Sequence, residues 1–243
     1  MQNEKNHQFR QQLKERFLRE GFHLTDIQIL QFEKFYHFLI EKNKVMNLTA
    51  ITDMEEVIEK HFIDSVSSSR IINYDNISNC IDVGTGAGFP GIPLKIVYPH
   101  ISMVLLDSLN KRVKFLEEVI ERLELKDIIA IHYRAEDAAR VPQYREKFDL
   151  CVSRAVANLR TLSEYCIPFV KKKGVFLSYK SMKGKEEIKE AEHCLELLAS
   201  TVEKVDEFQL DDNAGRTLIK IRKNNFTPKK YPRKAGLPSK DPL

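Results

Sequence analysis

Apolar and polar residues change rhythm twice along this chain. Over roughly the first 70 residues the spacing is helical. Residues 4–20 carry Phe9, Leu13, Phe17 and Leu18, with Gly21 as a stop. A second helix over residues 26–43 takes Thr25 as its cap and turns Ile27, Leu30, Phe35, Phe38 and Leu39 inward. A third starts at Thr52, where Thr52-Asp53-Met54-Glu55 has the capping-box pattern, and runs to Arg70.

At Asn79 the pattern becomes one of short apolar strands alternating with amphipathic helices. Strands are predicted over residues 80–83, 103–107, 128–132, 148–153 and 175–179, with helices over 92–98, 111–123, 136–139 and 159–169. Such alternation is the sequence sign of a parallel sheet covered on both faces. A helix over 185–199 then precedes two strands, 202–210 and 217–221, joined by Asp-Asp-Asn-Ala-Gly into an antiparallel pair at the sheet edge. Four of the nine prolines fall between Pro228 and Pro242, in a stretch that is otherwise basic. The predicted organisation is a helical extension (1–75), an α/β core of seven strands (76–223) and a basic arm (224–243), extended unless docked.

Composition narrows the class. With 42% hydrophobic residues and only 9 Gly and 9 Pro in 243 residues, neither a disordered nor a collagen-like chain fits. No apolar run reaches membrane-spanning length, and residues 1–19 lack the apolar core of a leader, so a cytoplasmic protein is expected. Cys80, Cys151, Cys166 and Cys194 show no C-x-x-C spacing, which predicts reduced thiols and no metal. The net charge of +4 hides a strong asymmetry. Residues 171–185 hold six basic side chains and residues 222–240 hold seven, with no acid in either stretch. The remainder has 26 basic against 35 acidic residues, a balance of −9, so an acidic body carries two basic stretches suited to a polyanion.

Candidate chemistry centres on Asp82-Val83-Gly84-Thr85-Gly86-Ala87-Gly88-Phe89-Pro90-Gly91, which holds four of the nine glycines between a strand and a helix. Glycine permits the sharp turn and close ligand approach, and the helix N-terminus adds unpaired N–H donors. The register Gly86-x-Gly88-x-x-Gly91 satisfies a dinucleotide fingerprint, and Asp107, closing the second strand, suits a ribose under either reading. Three features lean toward S-adenosylmethionine: the D-x-G-x-G-x-G register from Asp82, Arg134-Ala135-Glu136 after the third strand, and the final antiparallel pair. The fourth strand ends in Ser153-Arg154-Ala155-Val156-Ala157, with neither the Asn/Asp-Pro-Pro-aromatic run of amino methylases nor a cysteine nucleophile motif. An acceptor that already owns a lone pair, such as guanine N7, needs only in-line alignment and no catalytic side chain. Arg154 stays protonated, so it can bind the methionine carboxylate or orient the guanine but cannot act as a base.

Several segments occur together and in order: Asn47-Leu48-Thr49-Ala50-Ile51, His61-Phe62-Ile63-Asp64-Ser65, the glycine loop, Arg134-Ala135-Glu136, Arg154-Ala155-Val156-Ala157 and Tyr231-Pro232-Arg233-Lys234-Ala235-Gly236-Leu237-Pro238. From about Lys42 to Leu243 the chain resembles the ribosomal RNA small subunit methyltransferase G family, also called glucose-inhibited division protein B. The resemblance implies a Rossmann-like class I methyltransferase fold that moves the methyl group of S-adenosyl-L-methionine to N7 of a 16S rRNA guanine, number 527 in the usual scheme. It implies that Gly84 and Phe89 touch the cofactor, that Ala135 and Glu136 sit at its adenine end, and that Arg154 lines the site. Thr85, Gly86 and Asp107 join them as neighbours in the loop reading. The fifth strand ends Lys180-Ser181-Met182-Lys183-Gly184, where many relatives have Lys-Gly directly, so either lysine is a candidate for the substrate. His61, Arg233 and Lys234 are further substrate candidates, and a monomer is expected.

Two other readings remain open on sequence alone: an NAD-dependent oxidoreductase, and a non-catalytic rRNA-binding assembly factor. If about five residues of the basic stretches hold phosphates around the splayed-out guanine, log K for RNA should fall with log salt at a slope near −3.5, at roughly −0.7 per contact. A salt-insensitive affinity would exclude that grip.

Overall fold

Neighbouring apolar residues of the central strands, such as Cys80 and Ile81 or Leu150 and Cys151, are buried on opposite faces, so helices must cover both sides of the sheet. The computed structural model describes residues 2–154, 157–182, 184–210 and 214–243, apart from the side chains of Gln2, Asn3 and Lys5. The helical N-terminal part comprises α1 (Gln2–Arg19), α2 (Asp26–Met46), α3 (Met54–Val57) and α4 (Asp64–Val66). The core follows as β1 (Asn79–Val83), α5 (Gly91–Val97), β2 (Ser102–Asp107), α6 (Asn110–Arg122), β3 (Ile128–His132), α7 (Ala135–Ala138) and β4 (Phe148–Arg154). Then come α8 (Leu159–Cys166), β5 (Val170–Ser181), α9 (Gly184–Leu197), β6 (Ser200–Gln209), β7 (Gly215–Lys223) and α10 (Leu237–Lys240).

The sheet order is β3-β2-β1-β4-β5-β7-β6. The first five strands are parallel, while β7 pairs antiparallel with both β5 and β6. Strand order reverses between β1 and β4, and in open α/β sheets the crevice beyond the carboxyl ends at such a point is where ligands bind. Leu150, Leu177 and Leu218 face one side, with Phe32, Phe35, Phe38 and Phe62 of the N-terminal helices. Cys151, Phe176 and Ile219 face the other, against Leu159, Leu162 and Cys194. All four cysteines are buried and unpaired.

The helical extension is part of this packing. Thr25 caps α2 through a full capping box with Gln28, whose side-chain amide also donates to the Ile96 carbonyl at 2.8 Å and joins α2 to α5. The inward face of α2 differs from the predicted one: Ile27 and Leu30 are 72% and 41% exposed, whereas Ile29 and Phe32 join Phe35, Phe38 and Leu39 in the core. Both choices have helical spacing, and the phase is set by what α2 packs against. Leu18 of α1 is likewise exposed, while Phe9, Leu13 and Phe17 are buried. The third helix is capped by Asp53 rather than Thr52, with its carboxylate accepting from the Glu55 and Glu56 amides. Its body is not uniform, since residues Ile58–Ile63 form a π-helical stretch and Ser67–Arg70 a 3₁₀ turn.

Residues 224–243 are docked along the α7–α8 side. Arg145 donates to the carbonyls of Thr227 and Tyr231, and Arg160 donates to Pro242. The Glu164 carboxylate, 0% exposed, accepts from the Arg233 amide and guanidinium at 2.7–3.1 Å. Arg233 thereby anchors the tail. Removing one partner of a buried pair leaves an uncompensated charge. Arg233→Ala should lower the unfolding free energy by about 3 kcal/mol, seen as a lower urea midpoint at unchanged slope. Replacing Glu164 by Gln in the same protein should recover part of the loss.

Candidate active site

The glycine loop leaves β1 and crosses the end of β2, where the Gly84 and Thr85 amides donate to the Leu106 carbonyl at 2.8 and 3.1 Å. One carboxylate clamps both ends of the loop. Asp82 Oδ2 accepts from Thr85 Oγ1 at 2.7 Å and from the Gly91 amide at 2.8 Å. A Cβ at Gly91 would lie 2.3 Å from Leu105 Cδ2, so the helix start must be glycine to sit this close to the sheet. Gly86 has φ +62°, and a Cβ there would meet nothing within 4 Å, which makes it the open side of the loop. Asp107 Oδ2 accepts from the Gly86 amide at 3.0 Å, and Oδ1 from that of Leu109 at 2.9 Å.

Asp82 Oδ1 is buried and has no hydrogen-bond partner among the described residues. Burial pushes this carboxyl up to about 7, against the opposing pull of Thr85, Gly91 and Arg154. A buried carboxyl oxygen without a donor, in the residue that brackets the glycine loop, would be satisfied by a cationic or hydrogen-bond-donating group.

To one side of the loop lies a cavity of about 140 Å³ lined by Gly84, Ser108, Ala135, Glu136 and Tyr165. Glu136 Oε1 accepts the Gly236 amide at 2.7 Å, so the docked tail helps to shape this wall.

On the other side, beyond β4 and β5, a cleft of about 460 Å³ is lined by His61, Asp64, Arg154, Tyr179, Lys180 and Arg216 among others. The π-helical stretch brings His61 into it. The imidazole stacks on Phe89 with ring centres 4.4 Å apart, and Arg154 lies over the same ring at 5.2 Å. Arg154 Nη1 donates to Asp64 Oδ2 at 3.0 Å, and Arg216 Nε donates to Asp64 Oδ1 at 3.0 Å. His61 Nδ1 faces Arg154 Nη2 at 3.4 Å, and Nε2 lies 2.8 Å from Thr49 Oγ1. Since guanidinium only donates, the consistent tautomer accepts at Nδ1 and carries its proton on Nε2. Burial first, and the Arg154 charge second, push the imidazole down to about 3.

Gly84, Thr85, Gly86, Phe89, Asp107, Ala135, Glu136, Arg154, His61 and Lys180 therefore gather around the ends of β1, β2, β4 and β5. Lys180 pairs with Glu187 at 2.7 Å at the cleft wall. Lys183, Ala155 and Val156 lie outside the described residues. Arg233 is engaged with Glu164, and Lys234 is exposed on the tail.

The two basic stretches do not encircle the cleft as expected. β5 runs the length of the sheet, so Lys171, Lys172 and Lys173 sit at the end opposite Lys180. Many of the cations are also already paired: Lys171 with Asp149, Lys185 with Glu207, Arg222 with Glu203 and Lys223 with Glu146. Asp64, Asp82 and Arg216 are site residues that the sequence did not single out, although Asp82 opens the quoted glycine stretch. Asp64 lay within a quoted motif, whereas nothing local marked Arg216, which arrives through the pairing of β7 with β5.

Comparison with known proteins is consistent with this architecture. Residues 28–215 match the family described as GidB, rRNA small subunit methyltransferase G. The Ribosomal RNA small subunit methyltransferase G of Lachnoclostridium phytofermentans is 54% identical over 224 residues, which is 92% of this chain and 93% of that protein. The protein of the same name from Brevibacillus brevis is 45% identical over 235 residues, or 96% and 99% of the two chains. An O-methyltransferase from Bacillus cereus in complex with SAH superposes with a TM-score of 0.56 at 13% identity, covering 78% of this chain and 90% of that one. TYW2 of M. jannaschii in complex with AdoMet gives 0.54 at 15% identity, covering 66% and 74%. The fold is that of the Rossmann-like class I methyltransferases.

A neutral His61 has an observable consequence. Its ring protons should show no titration between pH 5 and 8 by NMR, unlike those of an exposed histidine. Arg154→Ala removes the second cause and should raise the midpoint above about 3 without restoring the ordinary value.

Proposed function

The chain belongs to the ribosomal RNA small subunit methyltransferase G family, and we propose that it transfers the methyl group of S-adenosyl-L-methionine to N7 of a guanine in 16S rRNA. The observation that supports the cofactor assignment is the orphaned Asp82 Oδ1 in the residue whose other oxygen brackets the glycine loop. When bound, S-adenosylmethionine supplies an electrophilic methyl group on a sulfonium centre. In this reading Asp82 receives its cationic amino group, and Gly84, Thr85, Gly86 and Phe89 line the methionine end. Ala135 and Glu136 bound the adenine in the smaller cavity, while Asp107 is placed for the ribose through its remaining lone pairs. Arg154 faces the methionine carboxylate or the incoming guanine from the larger cleft. Family membership favours this over a dinucleotide in the same loop.

Among the described residues the carboxylates of the cleft are engaged, Asp64 by Arg154 and Arg216 and Glu187 by Lys180. Arg154 stays protonated, and His61 hydrogen-bonds at both ring nitrogens with an imidazole that resists protonation. That suits N7, whose lone pair needs no proton removed. The work of the site is then alignment, with nucleophile, methyl carbon and sulfur held in line and water kept out. Phe89 serves as a platform under both His61 and Arg154. Lys180, paired with Glu187 at the cleft wall, would have to leave that carboxylate to meet the substrate backbone.

Incubating the protein with radiolabelled S-adenosylmethionine and small subunits from cells lacking the enzyme should place label at one guanine, located by N7-methylguanine-specific strand cleavage. Label on adenine, on a pyrimidine or nowhere overturns the reading. Arg154→Ala should abolish transfer and leave a folded protein.

The Asp82 carboxyl supplies a second test. It must be ionised to hold a cation, and its apo value is about 7, so acidification removes the charge. Affinity for S-adenosylmethionine by calorimetry should fall as pH drops below about 7, by up to about tenfold per unit. Asp82→Asn should bind weakly with little dependence on pH. Equal pH dependence in both proteins would remove Asp82 from the site.

A further inference from the structure

The end of the sheet opposite the active site gathers its own charge. Lys172 and Lys173 are exposed at the start of β5, and Lys147 is exposed just before β4. The pairing of Val175 with Arg222 brings the end of β7, and the chain that follows it, to the same place. There the Thr227 amide donates to Glu146 Oε1 at 2.8 Å, which fixes the turn that exposes Lys229 and Lys230. Phe226, 64% exposed, stands among these lysines with Lys172 Nζ 5.8 Å from its ring centre.

The neighbouring carboxylates do not neutralise the cluster. Asp149 is paired with Lys171, Glu146 with Lys223, and Glu203 with Lys220 and Arg222. Lys147, Lys172, Lys173, Lys229 and Lys230 make no ion pair among the described residues. An exposed aromatic ring amid uncompensated lysines offers a stacking face for a base and cations for phosphates. An acidic protein surface would use the charges but has no specific need of the ring.

From Gly174 to Ser181 the strand spans roughly 23 Å at about 3.3 Å per residue. The patch is therefore too far from the cleft to hold the nucleotides next to the target. We infer that it is a second RNA-docking surface, gripping a segment of rRNA separate from the one that enters the active site. This rests on the rRNA reading above, and it identifies the substrate as a folded RNA presenting two segments at that spacing.

The test compares wild type with a Lys172→Ala, Lys173→Ala, Lys229→Ala, Lys230→Ala variant, and separately with Phe226→Ala. Binding is measured across a salt series to small subunits and to protein-free 16S rRNA, alongside label transfer and S-adenosylmethionine affinity. The lysine variant should bind both RNAs at least tenfold more weakly, with the slope of log K against log salt reduced in magnitude by about 3. Phe226→Ala should weaken binding without changing the slope. S-adenosylmethionine affinity should match wild type in both, and label transfer should recover at saturating RNA. Unchanged affinity and slope in variants that still bind S-adenosylmethionine would overturn the inference. So would weakening seen only with assembled subunits and not with protein-free rRNA, which would assign the patch to a ribosomal protein. Failure of wild type to transfer label would instead defeat the functional reading, while the binding slopes would still judge the patch.

Discussion

One buried carboxylate organises the ligand end of this molecule. Asp82 receives hydrogen bonds from Thr85 near the start of the glycine loop and from Gly91 at its end, so the turn becomes a fixed bracket between β1 and α5. Carboxylates avoid such burial unless their oxygens are satisfied, and here only one of the two is. Burial raises the protonation range of Asp82, and the bonds from Thr85 and Gly91 pull against it. In the proposed function that unsatisfied oxygen receives the cationic group of the ligand, which would couple loop shape to ligand charge. Gly91 belongs to the same device, because its lack of a side chain lets the helix start come within reach of the carboxylate.

A second carboxylate does comparable work across the cleft. Asp64 belongs to the helical extension, yet its two oxygens fix Arg154 at the end of β4 and Arg216 on β7. Three parts of the chain, far apart in sequence, meet at this group. The π-helical stretch just before it explains how. The wider turn carries Lys60 and His61 toward the sheet end, where the Lys60 carbonyl accepts from Arg154 and the imbalance of a widened helix is taken up by tertiary contacts. The extension is accordingly a wall of the site as well as a cover for the sheet.

Much of this was legible in the chain. Strand and helix alternation, the edge pair and the glycine loop follow from periodicity and turn chemistry, which are local properties. The face of α2 was misread at Ile27 and Leu30 because helical spacing fixes a stripe but not which of two adjacent stripes meets the core. The π-helical stretch left no mark, since its hydrogen-bond register depends on what packs around it. Mapping charge along the sequence located the basic residues but not their partners. Asp149, Glu146, Glu203 and Glu164 come from elsewhere in the chain to neutralise Lys171, Lys223, Arg222 and Arg233. Direction along β5 then separates the remaining lysines into two groups at opposite ends of the sheet.

The hydrogen bond between Gly236 and Glu136 joins positions 100 residues apart in the chain. Closing a loop of that length costs chain entropy, which grows only slowly with its size and is offset where several contacts hold the returning segment. Glu136, Arg145 and Glu164 must all be in place before the tail has anything to grip. The wall that Glu136 gives the smaller cavity is therefore tied to the docking of the tail, so loss of the last residues of the chain would be felt beside the glycine loop.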